Sequence, residues 1–538
     1  MKTQVRFFVI MFMVLPLCMG YTGCFQPDRI AAFQPDYNKI FETIITNDAL
    51  SQNKRKFIKF PITDNEMSLT IEQSVMYALR NNKALHIQQL APIISGTFDQ
   101  IERSVYDPEF FVNASYLKTR EGEVSTDQDH IEISDNSDVE ISMGLRQFLP
   151  YGTKIEMAIE KNKSNEDSEP DTHQGRIGLN ITQSLLQGYG SFVNLAKIKM
   201  IELNTVTTEY ELYEYTQSLV AETEIAYWEY VLAKQKINIC KESLIIAKKQ
   251  RNEIEQQISV GILPKNEAFA ARAEVALREQ ALINAKSLME NKRLNLLKRI
   301  TLDHDKPFDL KIKPSSKPDL KVFPIIDLND RIKLAVKLRP DLKEACLRLK
   351  QKRLETIVTR NGLLPKLELF IVLGRTGYAD SFSDSFRNIN DSTYDVSVGM
   401  QFSHYLGNRA ATSKHYGVQL MRQQALKAID NLKNIVHFDV RFAFNQLEHA
   451  RKQISATRMT LMLQEQTAKA EKDRFNVGAS TALMVSQAYR DLLSAQIAKL
   501  ESIINYRIAL IKLYVAEGSL LERRGLKLDY RDCLKPQA

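Results

Sequence analysis

The fold is decided by a run of 70 consecutive residues that contains neither Gly nor Pro. It comprises residues 191–260, SFVNLAKIKMIELNTVTTEYELYEYTQSLVAETEIAYWEYVLAKQKINICKESLIIAKKQRNEIEQQISV. The run is rich in residues that favour helix, so we predict one very long helix. A second run, residues 418–477, is followed directly by Gly478. Helices of this length exceed the diameter of a compact domain, which indicates rods that reverse into antiparallel hairpins.

The helices of the second hairpin carry a heptad pattern. Apolar residues recur at steps of three, four or seven at Ile429, Leu432, Val436, Ala443, Leu447, Ala450 and Ile454, and again at Leu493, Ile497, Leu500, Ile504, Ile511 and Tyr514. Such seams predict that each helix is buried against its neighbour. Gly261 and Gly478 lie where the two hairpins reverse, at positions that favour a residue with positive φ.

Matched positions in the two halves of the chain predict an internal duplication. Matching positions are Ala78 and Ala335 (257 apart), Pro108 and Pro365 (257), Gln183 and Gln401 (218), and Gly261 and Gly478 (217). The drop in spacing from 257 to 218 predicts that the first copy carries 39 extra residues between Pro108 and Gln183.

Apolar and polar residues alternate around this insertion with the period of β-strands. The runs are residues 110–118, 139–145, 155–159 and 177–181 in the first copy, and 367–375 and 394–402 in the second. Long polar connections at 119–137, 162–173 and 376–393, with a short turn at 149–152, are typical of outer-membrane strands. The extra residues would form one additional hairpin, and an even insertion keeps both long helices on one side of the membrane. The alternative is a soluble β-subdomain.

The N-terminus reads as an export signal. Lys2 and Arg6 precede an apolar segment at 7–17, too short to span a bilayer. Tyr21-Thr22-Gly23-Cys24 resembles a bacterial lipobox, with Tyr21 where Leu is usual, and this resemblance implies lipidation of Cys24. The alternative is ordinary secretory cleavage nearby, and in both cases the protein leaves the cytoplasm.

Five segments follow from these patterns. They are a signal peptide (1–23), an extended tether (24–66), a first repeat (67–320), a second repeat (321–520) and a C-terminal tail (521–538). Ser68 is the expected N-cap of the first helix.

Composition excludes several classes of protein. The net charge of +8 is spread along the helices without a dense cluster, which argues against nucleic acid binding. The 8 His and 5 Cys are scattered, so we expect no metal site, no cofactor and no enzyme. Gly188-Tyr189-Gly190-Ser191 follows a strand but lacks the later Gly of a dinucleotide loop, and we interpret it as a turn. No segment after the leader has 18 consecutive apolar residues, so no transmembrane helix is predicted.

Three motifs, in order, resemble the TolC-like outer membrane factors: the opening helix at 69–85, the strand-to-helix turn at 183–190, and the helix tip at 474–481 followed by Gln487-Ala488. The resemblance implies a mainly α protein with a membrane β-barrel portion, in which long α-helical hairpins of an α-barrel continue transmembrane β-strands. It also implies a homotrimer in the outer membrane of a Gram-negative-type bacterium. There it would be the passive exit duct of a tripartite efflux pump or a type I secretion system, working with a periplasmic adaptor and an inner-membrane transporter. The family contributes two strands per repeat, whereas the first repeat here offers four.

The candidate site residues fall into two groups. Gln183, Gly188 and Gly190 form the strand-to-helix turn, and Gly261, Arg474, Gly478 and Ser480 are the expected adaptor contacts at the helix tips, where the duct would close. For Arg474 the alternative is an exposed charge stabilised by the helix dipole. For the whole chain, the alternative is a periplasmic coiled-coil lipoprotein scaffold without a pore.

Overall fold

The computed structural model describes residues 66–124, 131–166, 172–300, 307–316, 327–390 and 393–526. The signal peptide, Cys24, residues 24–65 of the tether and residues 527–538 of the tail lie outside the described residues. The chain forms two compact units. The sheet unit consists of residues 86–215 and 339–439, and the helical unit lies within residues 1–85, 216–338 and 440–538. Both units draw on both predicted repeats, and the repeat boundaries stay a prediction.

Helices make up most of the described chain. They are α1 (Ile71–Asn81), α2 (Lys83–Arg103), α3 (Ser191–Asn194), α4 (Ala196–Ser259), α5 (Glu267–Ile300), α6 (Leu328–Leu338), α7 (Pro340–Asn361), α8 (Phe382–Arg387), α9 (Arg409–Asn476), α10 (Ala482–Ala516) and α11 (Leu520–Arg523). The two predicted long helices are confirmed as α4, with 64 residues, and α9, with 68, and the first is interrupted only at Leu195. Among the described helices, none contains an 18-residue stretch apolar enough to cross a membrane.

Six strands form one antiparallel sheet in the sheet unit. They are β2 (Glu109–Val124), β3 (Ile131–Leu149), β4 (Thr153–Glu166), β5 (Thr172–Ser184), β7 (Lys366–Ala379) and β8 (Tyr394–Ser403), in the order β2-β3-β4-β5-β7-β8. All six predicted runs are therefore strands, and the inserted hairpin lies within the same sheet. In the helical unit, β1 (Glu66–Leu69) pairs in parallel with β6 (Lys311–Pro314).

The polar connections were predicted too long. The β2–β3 ladder continues through Thr119 opposite Asn136 and Arg120 opposite Asp135, and β4 runs on to Glu166. Residues 376–379 belong to β7, and α8 follows. The prediction was wrong because ladder hydrogen bonds join backbone groups, so acidic and polar side chains do not end a strand that faces water.

The start of the first helix was also misplaced. Ser68 lies in β1, and Thr70 is the N-cap of α1. The Thr70 hydroxyl accepts from the Gln73 N–H at 3.2 Å, while the Gln73 side chain accepts from the Thr70 N–H at 2.9 Å. This reciprocal capping box satisfies two otherwise free donors, which Ser68 could not do from within a strand.

Buried seams hold the helical unit together. Ala443, Leu447 and Ala450 of α9 are buried, as are Ile504 and Ile511 of α10, which confirms these members of the predicted heptads. At these positions the two helices carry the buried apolar residues that a coiled-coil seam needs.

A buried ionic cluster fixes the C-terminal end of α10. Glu517 is fully buried and pairs with Arg331 of α6. The Ser519 hydroxyl donates to the same carboxylate at 2.9 Å, and Arg523 approaches it at 3.3 Å. Because each donor is directed at one carboxylate, the charge of Glu517 is satisfied without water.

Candidate functional site

One face of the six-stranded sheet carries an unbroken apolar row. The residues that lie opposite one another across the five ladders are Phe110, Leu145, Met157, Leu179, Leu373 and Val396. Phe110 is 66 % exposed, Leu145 54 % and Val396 59 %, so no described part of the chain covers them fully. Leu179 and Leu373 in the middle of the row are partly exposed. A continuous apolar band that is exposed over most of its length indicates contact with lipid or with another protein.

The opposite face of the sheet is polar and carries ion pairs. Arg176 of β5 donates to Glu160 of β4 at 3.0 Å and to Asp395 of β8 at 2.7 Å. β7 lies between β5 and β8, and on it Gly374 lies directly beneath Asp395, so that a Cβ there would collide with the carboxylate. Glycine at position 374 therefore makes room for an ion pair that spans a strand.

A second ion pair lies on the same polar face near the start of β2. The Arg146 guanidinium of β3 donates to both carboxylate oxygens of Glu109, each at 2.7 Å. The two residues are directly opposite in the ladder, so the pair favours the observed register of β2 and β3.

The strand-to-helix turn after β5 requires its two glycines. Gly188 has φ 83° and Gly190 has φ 96°, in the left-handed region that side chains disfavour. The Gly188 N–H donates to Asn361 Oδ1 at 2.8 Å, and the Gly190 N–H donates to the Tyr151 carbonyl at 3.1 Å. The turn thus joins the 149–152 hairpin turn to the end of α7.

Gln183 and two asparagines complete this turn. The Gln183 side-chain oxygen accepts from the Thr153 hydroxyl at 2.5 Å. Asn194 donates to the carbonyls of Pro150 and Gly188, both at 2.9 Å. The sequence analysis identified Gln183, Gly188 and Gly190 but missed Asn194 and Asn361, because no local pattern shows which distant carbonyl an asparagine will reach.

Replacement of Asn194 tests the turn. We expect Asn194→Ala to lower the free energy of unfolding by about 1–3 kcal/mol, because two partly buried carbonyls lose their donor. Asn194→Asp should cost more, since an acceptor then faces two acceptors. The thermal unfolding midpoint in detergent measures both, with the exposed Asn113→Asp as a control. Equal midpoints for the Ala and Asp variants would contradict the assigned donors.

Both long hairpins reverse through the same backbone motif. Gly261 has φ 78° and Gly478 has φ 79°. After each glycine, the next N–H donates to the carbonyl five residues back at 2.8 Å. This is the Schellman arrangement, and its presence at both tips is the structural counterpart of the matched glycines in the sequence.

Glu471 links the two polar candidates at the second tip. Arg474 donates to Glu471 at 2.9 Å, and the Ser480 hydroxyl donates to the other carboxylate oxygen at 2.8 Å. The Arg474 side chain remains 66 % exposed, whereas that of Glu471 is 22 % exposed. Glu471 was missed because its bond to Ser480 crosses the turn, although its spacing of three from Arg474 is a helix-neighbour pattern.

The tips combine a small shared core with an exposed apolar surface. Ile254 of α4, Ala271 of α5 and Ala482 of α10 pack together with Phe475 of α9, so the two hairpins meet here. Apolar residues at least half exposed surround this core, namely Val260, Ile262, Phe269, Val477, Leu483 and Met484. Such a patch is typical of a protein-binding surface.

A charged layer interrupts the apolar packing between α4, α5 and α10. Glu274 and Arg278 of α5 are buried and pair at 2.6 Å, and Arg490 of α10 approaches Glu274 at 3.8 Å. A cavity of about 40 Å³ adjoins them. Burial raises the pKa of the neighbouring Tyr489 hydroxyl, and the carboxylates of Glu253 and Asp473 add to this. The packing between these helices is therefore partly ionic here, in contrast to the apolar seams.

Substitution at the tip glycines should be limited by the backbone alone. A Cβ at Gly261 or Gly478 would meet nothing within 4 Å, so only the positive φ opposes it. We expect Gly478→Ala to destabilise the tip by about 1–2 kcal/mol and Gly478→Asn by less, since Asn tolerates this conformation. Hydrogen exchange at the tip amides measures the effect. Gly261 should give the same ranking, and a reversed order at either site would contradict the motif.

Comparison with known proteins shows which family and which solved structures the chain resembles. Residues 332–519, about a third of the chain, match the family described as outer membrane efflux protein. The outer-membrane channel OprN is 18 % identical at a TM-score of 0.63, over 84 % of this chain and 90 % of that one. The CmeC outer membrane channel of Campylobacter jejuni is 17 % identical at 0.63, over 86 % and 87 %. The outer membrane protein VceC of Vibrio cholerae is 13 % identical at 0.61, over 83 % and 96 %.

These solved structures are at most 18 % identical to the chain, so their similarity establishes its fold alone. The resemblance to TolC-like channels is confirmed, and with it a mainly helical fold class that includes a β-sheet portion. No curated protein sequence matches the chain.

Proposed function

We infer that this chain is an outer membrane efflux protein of the TolC-like family and forms the outer-membrane exit duct of a tripartite efflux pump or a type I secretion system. Its sheet unit lies in the outer membrane, and its helical portion lies in the periplasm. Transport through the duct is passive and moves small molecules or polypeptides to the exterior without bond chemistry.

The two faces of the sheet carry this proposal. One face presents an apolar row that crosses all six strands, and the other presents ion pairs and small residues. A wall with lipid on one side and water on the other needs this division. A coiled-coil scaffold without a pore needs no such sheet, so the exposed apolar row favours the duct.

The partners follow from the family. Three copies would form the duct, a periplasmic adaptor would bind its helical end, and an inner-membrane transporter would supply the substrate through the adaptor. Whether the duct serves drug efflux or protein secretion would depend on the specificity of that transporter.

The helix tips are the proposed adaptor contacts and the closable end. Gly261, Arg474, Gly478 and Ser480 lie next to the exposed apolar patch, which supports this assignment. Cross-linking mass spectrometry on intact membranes tests it: adaptor peptides should attach to lysines near the tips, such as Lys265 and Lys472. Attachment confined to other lysines of the chain would reject the assignment.

Lipidation of Cys24 is a separate proposal from the lipobox resemblance. Metabolic labelling with a radioactive fatty acid should mark the protein, and Cys24→Ser should abolish the label. Equal labelling of both forms would reject it.

Conductance of the purified protein in planar bilayers tests the duct itself. We expect discrete channels and a heat-sensitive trimer on gels. A monomer that needs no detergent once its lipid is removed, and that forms no channels, would instead favour the scaffold.

A further inference from the structure

The six-stranded sheet has two open edges. Within the described chain, β2 pairs only with β3 and β8 pairs only with β7, so the outer backbone groups of both strands lack a neighbouring strand. Five antiparallel ladders separate β2 from β8, so the two edge strands run in opposite directions. Exposed edges of this length pair readily with another strand.

The helix that leads into β2 carries an exposed apolar stripe. Its members are Ile87, Leu90, Ile94, Phe98, Ile101 and Val105, which are between 47 % and 66 % exposed. Their steps of three and four residues place them along one side of α2 and its continuation. A stripe with coiled-coil spacing predicts another helix packed against it.

The helices of the sheet unit follow the same order as the strands. α2 contacts α4 through Ser95 and Thr205 at 3.0 Å, α4 contacts α7 through Met200 and Gln351 at 3.1 Å, and α7 contacts α9 through Thr359 and His415 at 3.1 Å. The order α2-α4-α7-α9 therefore ends at α2 and α9, the two helices connected to the edge strands β2 and β8.

The helix connected to the other edge is exposed in turn. Tyr405 and Leu406, in the turn after β8, are 84 % and 102 % exposed, and Tyr416 and Leu420 on the first turns of α9 are 63 % and 46 % exposed. Both ends of the unit therefore combine an open strand edge with an apolar helical surface.

We propose that the inserted hairpin is a full member of the wall that the copies build together, with β8 of one copy paired antiparallel with β2 of the next in one defined register and α9 of the first packed on the α2 stripe of the second. The proposal rests on the trimer of the proposed function. Six strands from each of three copies then make a continuous wall of eighteen, in which the inserted hairpin is a full member. The partner is a second copy because a single kind of interface then covers both the β8 edge and the β2 edge of every copy. Six strands per copy is an even number, so neighbouring strands stay antiparallel all round the ring.

The duplication gives the register of this interface. Within the chain the Leu185 N–H donates to the Leu367 carbonyl at 2.8 Å, at the base of the β5–β7 ladder. The repeat spacings give the equivalent pair between copies. Leu185 plus 217 is Phe402 of β8, and Leu367 minus 257 is Phe110 of β2. Ser397 then lies opposite Ser115, and both belong to the polar face. The spacing of 218 would instead oppose Ser397 to Tyr116, which lie on different faces, and directly opposed residues share a face.

Cysteine pairs test the register. Ser397→Cys combined with Ser115→Cys should form disulfides between copies on mild oxidation of the membrane-embedded protein, seen as dimers and trimers on non-reducing gels. The matched control, Ser397→Cys with Leu117→Cys, represents a slip of two residues and should give far less product. The unmodified chain controls for the native thiols, which include Cys533 as well as Cys240 and Cys346, both without a disulfide. Product from the control pair alone would overturn the register.

A third pair tests whether the inserted hairpin belongs to the wall. Asn113→Cys and Ser142→Cys join β2 to β3 within one chain, where the native side chains approach to 3.4 Å. Added to Ser397→Cys and Ser115→Cys, this pair should cross-link in the same molecules, as shown by mass spectrometry of the linked peptides. A strand can pair with only two neighbours. If β2 pairs with β3 of its own chain and with β8 of the next copy, it cannot also pair with β5, as it would if the inserted hairpin lay outside the wall. Loss of the β2–β3 link in assembled trimers would overturn the eighteen-stranded wall.

The helix contact has its own variant. Phe98→Glu places a charge on the stripe and should shift the protein from trimer to monomer on native gels, while Gln100→Glu, exposed on another side of α2, should leave the trimer intact. Trimers that persist in Phe98→Glu would overturn the helix contact.

If the unmodified protein forms neither trimers nor channels, the proposed function fails, whereas a conducting trimer without the Ser397–Ser115 link defeats only this inference.

Discussion

Replacing Arg331 by alanine is expected to lower the free energy of unfolding by about 3–5 kcal/mol. The substitution leaves the fully buried carboxylate of Glu517 without its closest cation. Arg523 approaches the same carboxylate at 3.3 Å, but its side chain is 33 % exposed and it cannot supply the lost contact from its own position. The thermal unfolding midpoint, followed by circular dichroism in detergent, measures the loss.

A matched control lies on the same helix. Lys333 pairs with Asp330 at 3.3 Å, with side chains 79 % and 61 % exposed. Lys333→Ala should change stability by no more than about 0.5 kcal/mol, because exposed pairs are screened by water and salt. Similar losses for Arg331→Ala and Lys333→Ala would show that burial of the Glu517 pair does not stabilise the fold.

Replacing Arg176 by glutamine is expected to make the duct cation-selective. The variant leaves the carboxylates of Glu160 and Asp395 unpaired on the polar face, and the proposed trimer repeats them three times. One unscreened charge at about 4 Å changes the energy of an ion by about 1 kcal/mol even in water, which is about fivefold in occupancy. We therefore expect the permeability ratio of K⁺ over Cl⁻ to rise at least about fivefold, measured as a reversal potential across a planar bilayer.

Removing the two carboxylates instead of the guanidinium is the control for the direction of the selectivity change. Glu160→Gln combined with Asp395→Asn leaves Arg176 as the uncompensated charge and should shift the reversal potential toward anion selectivity. If neither variant moves the reversal potential, the polar face does not line the path of the ions.

Local periodicity was sufficient to predict most of the architecture. The absence of Gly and Pro identified α4 and α9, runs with the strand period identified the six strands, and the matched glycines Gly261 and Gly478 located both tips. Each of these features is set by neighbours along the chain, so a single sequence contains it. The start of α1 failed by two residues because Ser68 and Thr70 are equivalent as local caps, and only the pairing of β1 with β6 decides between them.

What the sequence did not show depends on contacts between distant residues. Asn361 reaches Gly188, 173 positions away, and Arg176 reaches Asp395, 219 positions away. The need for glycine at position 374 appears only once Asp395 is seen above it. Polar residues in the ladder at 119 and 120 were misjudged because composition reports exposure to water and not hydrogen bonding of the backbone.

The additional residues of the first repeat enter the sheet as the complete pair β3 and β4. A single added strand would reverse the direction of everything after it and send α4 to the opposite side of the membrane. In the proposed wall of eighteen strands, changes of calibre would therefore come in steps of two strands per subunit. Lengthening one connection of a repeat by a hairpin would widen the bore while the number of long helices per subunit stays the same.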